Sequence, residues 1–352
     1  MFYLLIITTK VITLAASVEE KTVNLFEDRY YDSGKIKVAS AKIKCWKHGG
    51  HGAQTFLQVV QNSCNPGFVI MGQRLGKERL MDYIDKFGFG EKTGIDLSGE
   101  ENGIIFDIDK MGPVETATTA FGQGVSVTPL QQVMGVSAAI NGGYLNKPYM
   151  VSSISNSETN EVILSNKTVT KRQVISEETS KTVRYALESV VAEGTGRNAF
   201  INNYRVGGKT GTAQKVKDGA YMDGNYILSF IGFMPANDPE VVVYVAIDNP
   251  KGVVQYGGTV AAPIAKAVLE SCIDILNIKK SEDGIERVYE LWDQKYYKVP
   301  DVTGLTKKEA KNTLYPNFTV EYSGSGDKVI YQAPQEGEYV KQGGIVKLML
   351  SD

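Results

Sequence analysis

An α+β fold is what this 352-residue chain predicts. Three observations carry that reading. Helical periodicity dominates the first 190 or so residues, three strand-like runs separated by turn clusters follow, and one long apolar-faced helix closes the region before the composition changes near residue 280. At roughly 150 residues per domain the length allows about two domains. Lys plus Arg number 38 and Asp plus Glu 40, a net charge of −2 with no long run of one sign, which disfavours a broad nucleic-acid-binding field. Hydrophobic residues at 42% and charged residues at 22% exclude disorder of the whole chain. The 36 glycines, well above the usual share of about 7%, imply many turns and close backbone approaches.

The elements justify themselves in order. Val11, Ile12, Leu14, Ala15 and Val18 fit a short buried helix, followed by turns and short strands to about His51. Residues 54–62 read as a helix with Phe56, Leu57, Val59 and Val60 on one side; Pro66 and Gly67 are expected to break the chain after Ser63-Cys64-Asn65. Residues 74–87 place Leu80, Tyr83, Ile84 and Phe87 at helical spacing, and Gly88 and Gly90 close that helix. Thr128 and Pro129 are a cap and first turn. Ser176-Glu177-Glu178 opens a helix that Gly194 stops, acids in the first turn being favoured by the helix dipole. Strands are predicted over 204–216, 226–234 and 241–248, and a helix over 261–278 that packs across them.

After a linker at 281–297, residues 298–352 form a second unit. Seven lysines and seven acidic residues leave it locally neutral. A helix over 306–314 and strands near 318–322, 328–332 and 345–350 are expected, and about 55 residues suffice to fold alone.

Cys45, Cys64 and Cys272 are too few for a disulfide scaffold and form no CxxC pair, so no metal site is expected. The two histidines, His48 and His51, lie in the Gly-broken run CWKHGGH, where a polar turn is the favoured reading over a metal site. No cofactor is expected.

The strongest local signal is Lys209-Thr210-Gly211-Thr212. A phosphate-binding loop would need glycine at position 203, which is Asn203, and a helix after the motif, where a strand is predicted. The alternative is the KTG strand of the penicillin-recognising serine acyl-transferases, whose edge aligns an extended peptide while the lysine faces its carboxylate. Ser63-Cys64-Asn65 supplies the SxN that accompanies such a strand.

With these motifs in order, together with CWKHGGHG at 45–52, NSCNPGF at 62–68, FGQGVSVTPL at 121–130, EGTGR at 193–197, FIGFMP at 230–235 and IDNPKG at 247–252, residues 10–277 resemble the transpeptidase domain of a class B penicillin-binding protein. Residues 298–352 resemble a PASTA domain. Within the class, the sporulation-specific members are the best match and the division transpeptidases the near neighbour. The resemblance implies a penicillin-binding, serine β-lactamase-like α+β domain over 10–280, an antiparallel sheet flanked by helices, with a small α/β PASTA domain appended. It implies cross-linking of peptidoglycan stem peptides through a serine acyl-enzyme, with β-lactams as mimics of the donor. Carried over by position, Lys10, Ser63 and Asn65 are catalytic, and Lys209, Thr210, Gly211 and Thr212 bind the substrate's carboxylate end. The Thr212 N–H is one arm of an oxyanion hole. Peptidoglycan stem peptides, β-lactams and a glycosyltransferase of the division or sporulation machinery are the implied partners, at the extracytoplasmic face of the membrane.

The chain departs from the family at its first motif. Lys10 matches the lysine of SxxK, so position 7 should be the nucleophilic serine, and it is Ile7. Residues 1–9 are therefore read as non-family sequence and the chain as an N-terminally truncated fragment without anchor or pedestal, a poor or dead acyl-transferase. A non-catalytic module binding muropeptide or β-lactam through the KTG cleft and the PASTA domain is the other reading, with the PASTA domain as a spacer or as a ligand contact. Cys45 and Cys64 are either two buried thiols or a redox pair able to form a disulfide.

Overall fold

The computed structural model describes residues 7–217, 220–281, 283–287 and 295–351. The chain divides into two compact units, Met1–Arg287 and Val288–Asp352.

At the centre of the larger unit lies α1, Ile7–Glu19. Its Val11, Ile12, Leu14, Ala15 and Ala16 are all essentially inaccessible, as a helix that is apolar around most of its circumference must be. The Thr13 hydroxyl is reconciled to that interior by donating to the Ala120 carbonyl at 2.8 Å. A short-stranded segment follows: β1 (Arg29–Asp32), β2 (Lys35–Val38), β3 (Ala41–Lys44) and β4 (Gly52–Thr55). β1 pairs antiparallel with β4, and β2 with β3.

Helices α2 (Phe56–Gln61), α3 (Asn65–Leu75), α4 (Lys77–Lys86), α5 (Pro113–Phe121) and α6 (Pro129–Ile140) come next. α2 begins two residues later than the periodicity suggested, because Thr55 and Gln58 form a reciprocal capping box that fixes its start. Pro66 does not break the chain: it sits in the first turn of α3, where a missing N–H costs nothing. The amphipathic stretch at 74–87 is two helices, since Gly76 at φ 87° ends α3 and begins α4. Thr128 caps α6 through its hydroxyl, as read from the sequence.

Short hairpin strands β5 (Tyr144–Lys147), β6 (Ser153–Ser155), β7 (Val162–Ser165) and β8 (Val169–Gln173) precede α7, Glu177–Ala192, which Ser176 caps. The main sheet is β9 (Gly207–Lys217), β10 (Ala220–Met234) and β11 (Val241–Asp248), all antiparallel in the order β11-β10-β9. Thus β9 is an edge strand among the described residues. α8, Gly257–Leu276, packs across β10 and β11 and buries Ala261, Ala262, Ala265 and Leu269.

The first part of the segment read as a linker is hydrogen-bonded to this unit: Ser281 N–H donates to the Asn203 carbonyl at 2.8 Å and Ile285 N–H to Glu188 at 3.4 Å. Residues 288–294 of that segment, and residues 1–6 of the stretch 1–9, lie outside the described residues.

The smaller unit contains β12 (Tyr296–Lys298), α9 (Lys307–Leu314), β13 (Thr319–Gly324), β14 (Lys328–Ala333), β15 (Tyr339–Lys341) and β16 (Ile345–Ser351). β16 is central, parallel to β13 and antiparallel to β14. Its Val346, Leu348 and Leu350 alternate inward onto Val302, Leu314 and Phe318. Buried Gln332 accepts from Val302 N–H at 2.7 Å and donates to the Pro300 carbonyl at 3.1 Å. Among the described residues no helix is long and apolar enough to cross a membrane.

Candidate active site

Three segments deliver the site. α1 presents Lys10, the turn between α2 and α3 presents Ser63 and Asn65, and β9 presents Lys209, Thr210, Gly211 and Thr212. The turn is conformationally demanding: Ser63 has φ 52°, a left-handed geometry uncommon for a residue with a Cβ. Such strain persists where the surroundings over-determine it. Here that surrounding is Lys10, whose Nζ donates to the Ser63 carbonyl at 2.9 Å, the Ser63 Oγ at 2.9 Å and the Asn65 Oδ1 at 2.7 Å. Three acceptors satisfy all three ammonium protons of a fully buried lysine. The Lys10 ammonium also lies 5.2 Å from the Phe68 ring centroid.

Burial pulls the Lys10 pKa from 10.5 down to about 8, with the sulfurs of Cys64 and Cys45 opposing the drop. The Lys209 pKa is pushed well down too, first by burial and then by the positive charge of Lys10 nearby. One positive charge in this cleft is tolerable; two repel.

Lys209 is 1% exposed and Thr210 8%. Strand alternation sends the two threonines to the face opposite Lys209 and Gly211. The Thr210 hydroxyl lies 2.9 Å from the Thr195 hydroxyl, and the Gly257 N–H donates to Thr212 Oγ1 at 3.3 Å. Thr195, between α7 and β9, is tied to α2 in turn, its N–H reaching the Gln61 carbonyl at 3.0 Å. Gly257, at the start of α8, lies so close that a Cβ there would run into the Gly211 and Ser229 carbonyl oxygens. Sequence reasoning singled out neither residue. EGTGR did flag the Thr195 segment, and the paired glycines 257 and 258 were the available signal for a close approach.

Trp46 was also missed: half exposed, it donates through Nε1 to the Asn62 carbonyl at 2.8 Å and stands edge-on to Tyr256, centroids 6.0 Å apart. Cys45 and Cys64 are both free and buried, their sulfurs within 4.8 Å of one another. His48 is exposed, whereas the His51 side chain is 5% exposed. The expected nucleophile position, Ile7, opens α1 one helical turn before Lys10.

Known proteins resemble this chain over most of its length. The family described as "Penicillin binding protein transpeptidase domain" matches residues 8–270, and "PASTA domain" matches residues 297–352. Stage V sporulation protein D of Bacillus subtilis is 56% identical over 345 residues, which cover 98% of this chain and 53% of that protein. Penicillin-binding protein PbpB of Mycolicibacterium smegmatis is 31% identical over 291 residues, 78% of this chain and 43% of the relative. The chain therefore spans about half the length of the curated relatives it matches. Among solved structures, penicillin-binding protein 3 of Mycobacterium tuberculosis in complex with ampicillin superposes with a TM-score of 0.72 at 28% identity, covering 80% of this chain and 64% of that one.

Proposed function

The chain belongs to the penicillin-binding protein transpeptidase family, and from that premise we propose that its cleft recognises the D-Ala-D-Ala end of peptidoglycan stem peptides, and β-lactams in their place, without forming an acyl-enzyme. The observation that carries this reading is the convergence of Lys10, Ser63 and Asn65 around one ammonium, with isoleucine at position 7.

Acyl transfer in this family's manner needs a hydroxyl one turn before the lysine. Its oxygen attacks the penultimate D-Ala carbonyl, its proton passes to the neutral lysine, and the departing D-Ala amine takes a proton back. Lys10 suits that proton-accepting role, since burial brings its pKa near the working range. Ser63 stands within one hydrogen bond of it for relay, and Asn65 supplies an amide to hold the acyl group. An isoleucine side chain has no lone pair to donate and no proton to give up. Recognition is separable from chemistry: an extended peptide adding to the edge of β9 is held by backbone hydrogen bonds, and the Thr210 and Thr212 hydroxyls, which share one face of that strand, receive its carboxylate.

Ampicillin is bound by the Mycobacterium tuberculosis relative, which supports β-lactams as ligands here. The same kinship supports a role in spore or septal wall synthesis, at the extracytoplasmic face and beside a glycosyltransferase. Intact mass after incubation with a β-lactam tests the reading. No adduct on the purified chain, together with saturable non-covalent binding of the same β-lactam, is the expected result. A stoichiometric adduct mapped to Thr8, Thr9 or Ser63 would overturn the claim of lost chemistry.

A further inference from the structure

Residues 144–173 form a hairpin arm that supplies none of the residues of the cleft. β5 and β8 pair at its base, β6 and β7 beyond them, and a turn over 156–161 closes it. Every residue of β6 and β7 is exposed, on both faces of this two-stranded sheet. Met150 and Ile163 are each 67% exposed, and Val151, Ile154, Val162, Leu164 and Val169 are exposed with them. Single apolar side chains are ordinary on a protein surface, whereas a run of them along one hairpin marks an interaction surface. The arm is firmly built all the same. Asp96 accepts from the Met150 and Val151 N–H groups at 2.7 and 3.0 Å, and Arg172 donates to the Lys86 and Asp85 carbonyls at 2.6 and 2.8 Å. At the tip the Asn156 side-chain oxygen accepts from the N–H groups of Glu158 and Thr159 at 2.8 and 3.2 Å.

We propose that β7 pairs antiparallel with β7 of a second copy of this chain, joining two arms into a four-stranded sheet, β6-β7-β7-β6, across a two-fold axis at Leu164. Two strands alone are marginal in water, and a sheet needs three or more to hold itself. The outer edge of β7 faces no further strand among the described residues. Val162-Ile163-Leu164-Ser165 carries neither the lysine nor the proline with which exposed edges discourage pairing. Leu164 lies directly across from Ile154 in β6, so the joined sheet has an unbroken apolar row over its four strands: Ile154, Leu164, then Leu164 and Ile154 of the other copy.

Charge identifies the partner as a second copy and sets its direction. The acids of the arm, Glu158 and Glu161, lie at its tip, and its bases, Lys147, Lys167, Lys171 and Arg172, lie towards its root. Arg172 is engaged with Glu91 at 3.1 Å. Glu161 and Lys167 are exposed and belong to no ion pair among the described residues. Glu161 stands three residues before Leu164 and Lys167 three residues after it. Antiparallel pairing about Leu164 therefore sets Glu161 of each copy opposite Lys167 of the other, once on either side of the axis. A parallel alignment sets like charge against like. Opposite charges across neighbouring strands fix register and orientation more than they add strength. An interface in which each patch meets its own copy closes at two chains and leaves no open end to grow.

Sedimentation velocity of the full chain over a concentration series tests this. The expected result is a reversible monomer–dimer equilibrium, weaker than about 1 μM because so little surface is joined, and weaker still in high salt. Glu161→Lys and Lys167→Glu should each loosen the dimer roughly 10-fold with unchanged far-ultraviolet dichroism. Both changes in one chain should restore it. Mixing the two single variants should restore it as well, since each then meets its opposite in the other chain. In a Cys272→Ser background, Leu164→Cys should give a disulfide-linked dimer on mild oxidation, and Thr159→Cys at the tip should not, because only residues facing each other across the axis come within bonding distance. Should a charge variant misfold, the two cysteine variants still decide. β-Lactam binding should be unchanged throughout. A single-chain mass at every concentration, a dimer indifferent to both charge reversals, or equal cross-linking at 159 and 164 would each overturn the proposal. So would a chain that stays monomeric and floats with vesicles of phosphatidylglycerol and phosphatidylethanolamine through the same apolar residues, for the arm would then serve a lipid surface.

Discussion

The Thr195 hydroxyl lies 2.9 Å from the Thr210 hydroxyl, joining the turn after α7 to the KTGT strand, and 3.2 Å from the Gln61 carbonyl at the end of α2. One side chain thus braces the KTGT strand against the segment that leads into Ser63. Thr195→Val keeps the shape and removes both bonds. It should destabilise the chain by about 1–2 kcal/mol in urea unfolding, and Thr195→Ser should restore most of that loss.

Ile7→Ser returns a hydroxyl one turn before Lys10. It should convert the chain from inert to acylated by a labelled penicillin, the label mapping to position 7. Because burial lowers Lys10 to about 8, the acylation rate should rise with pH and level off above that value, as the ammonium gives up its proton. A flat profile would remove Lys10 as the base. Lys10→Ala in the same background should cost a factor of about 10²–10⁴.

Gly257 touches β9 and β10 through backbone alone, so an added methyl meets carbonyl oxygens that cannot swing aside. Gly257→Ala should lower stability by about 1–3 kcal/mol and loosen β-lactam binding, read by thermal unfolding and by ligand titration. Gly252→Ala, where a Cβ meets open space, is the comparison for added bulk, although its φ of 72° carries a backbone cost of its own.

Arg205 holds Glu188 with bonds of 3.0 and 2.7 Å, and the Glu188 side chain is 4% exposed. Arg205→Met leaves that carboxylate buried and unpaired, an expected loss of about 3–5 kcal/mol. Adding Glu188→Leu to it should recover a large part, which a double-mutant cycle in urea measures.

The sequence disclosed what depends on local pattern. Capped helices such as α6 and α7 announced themselves through Thr128 and Ser176, and the three strands of the main sheet through their turn clusters. KTGT and SCN were legible because their chemistry needs adjacent residues. Interruptions that depend on backbone detail were not: Pro66 reads equally as a stop or as a first turn, and Gly76 reads as a residue inside a helix until its positive φ is seen. Thr195 and Trp46 escaped because their roles come from partners 15 and 16 residues away.

The outer edge of β9 has a further consequence at high protein concentration. Its outward N–H and C=O groups, which face no further strand among the described residues and suit an incoming peptide, suit equally well the strand of a neighbouring molecule. Glycines at 207, 208 and 211 make this a poor template for self-association, since glycine weakens strand pairing. The composition that leaves room for a substrate backbone is thus also what keeps such chains from adding to one another at this edge and leaving solution.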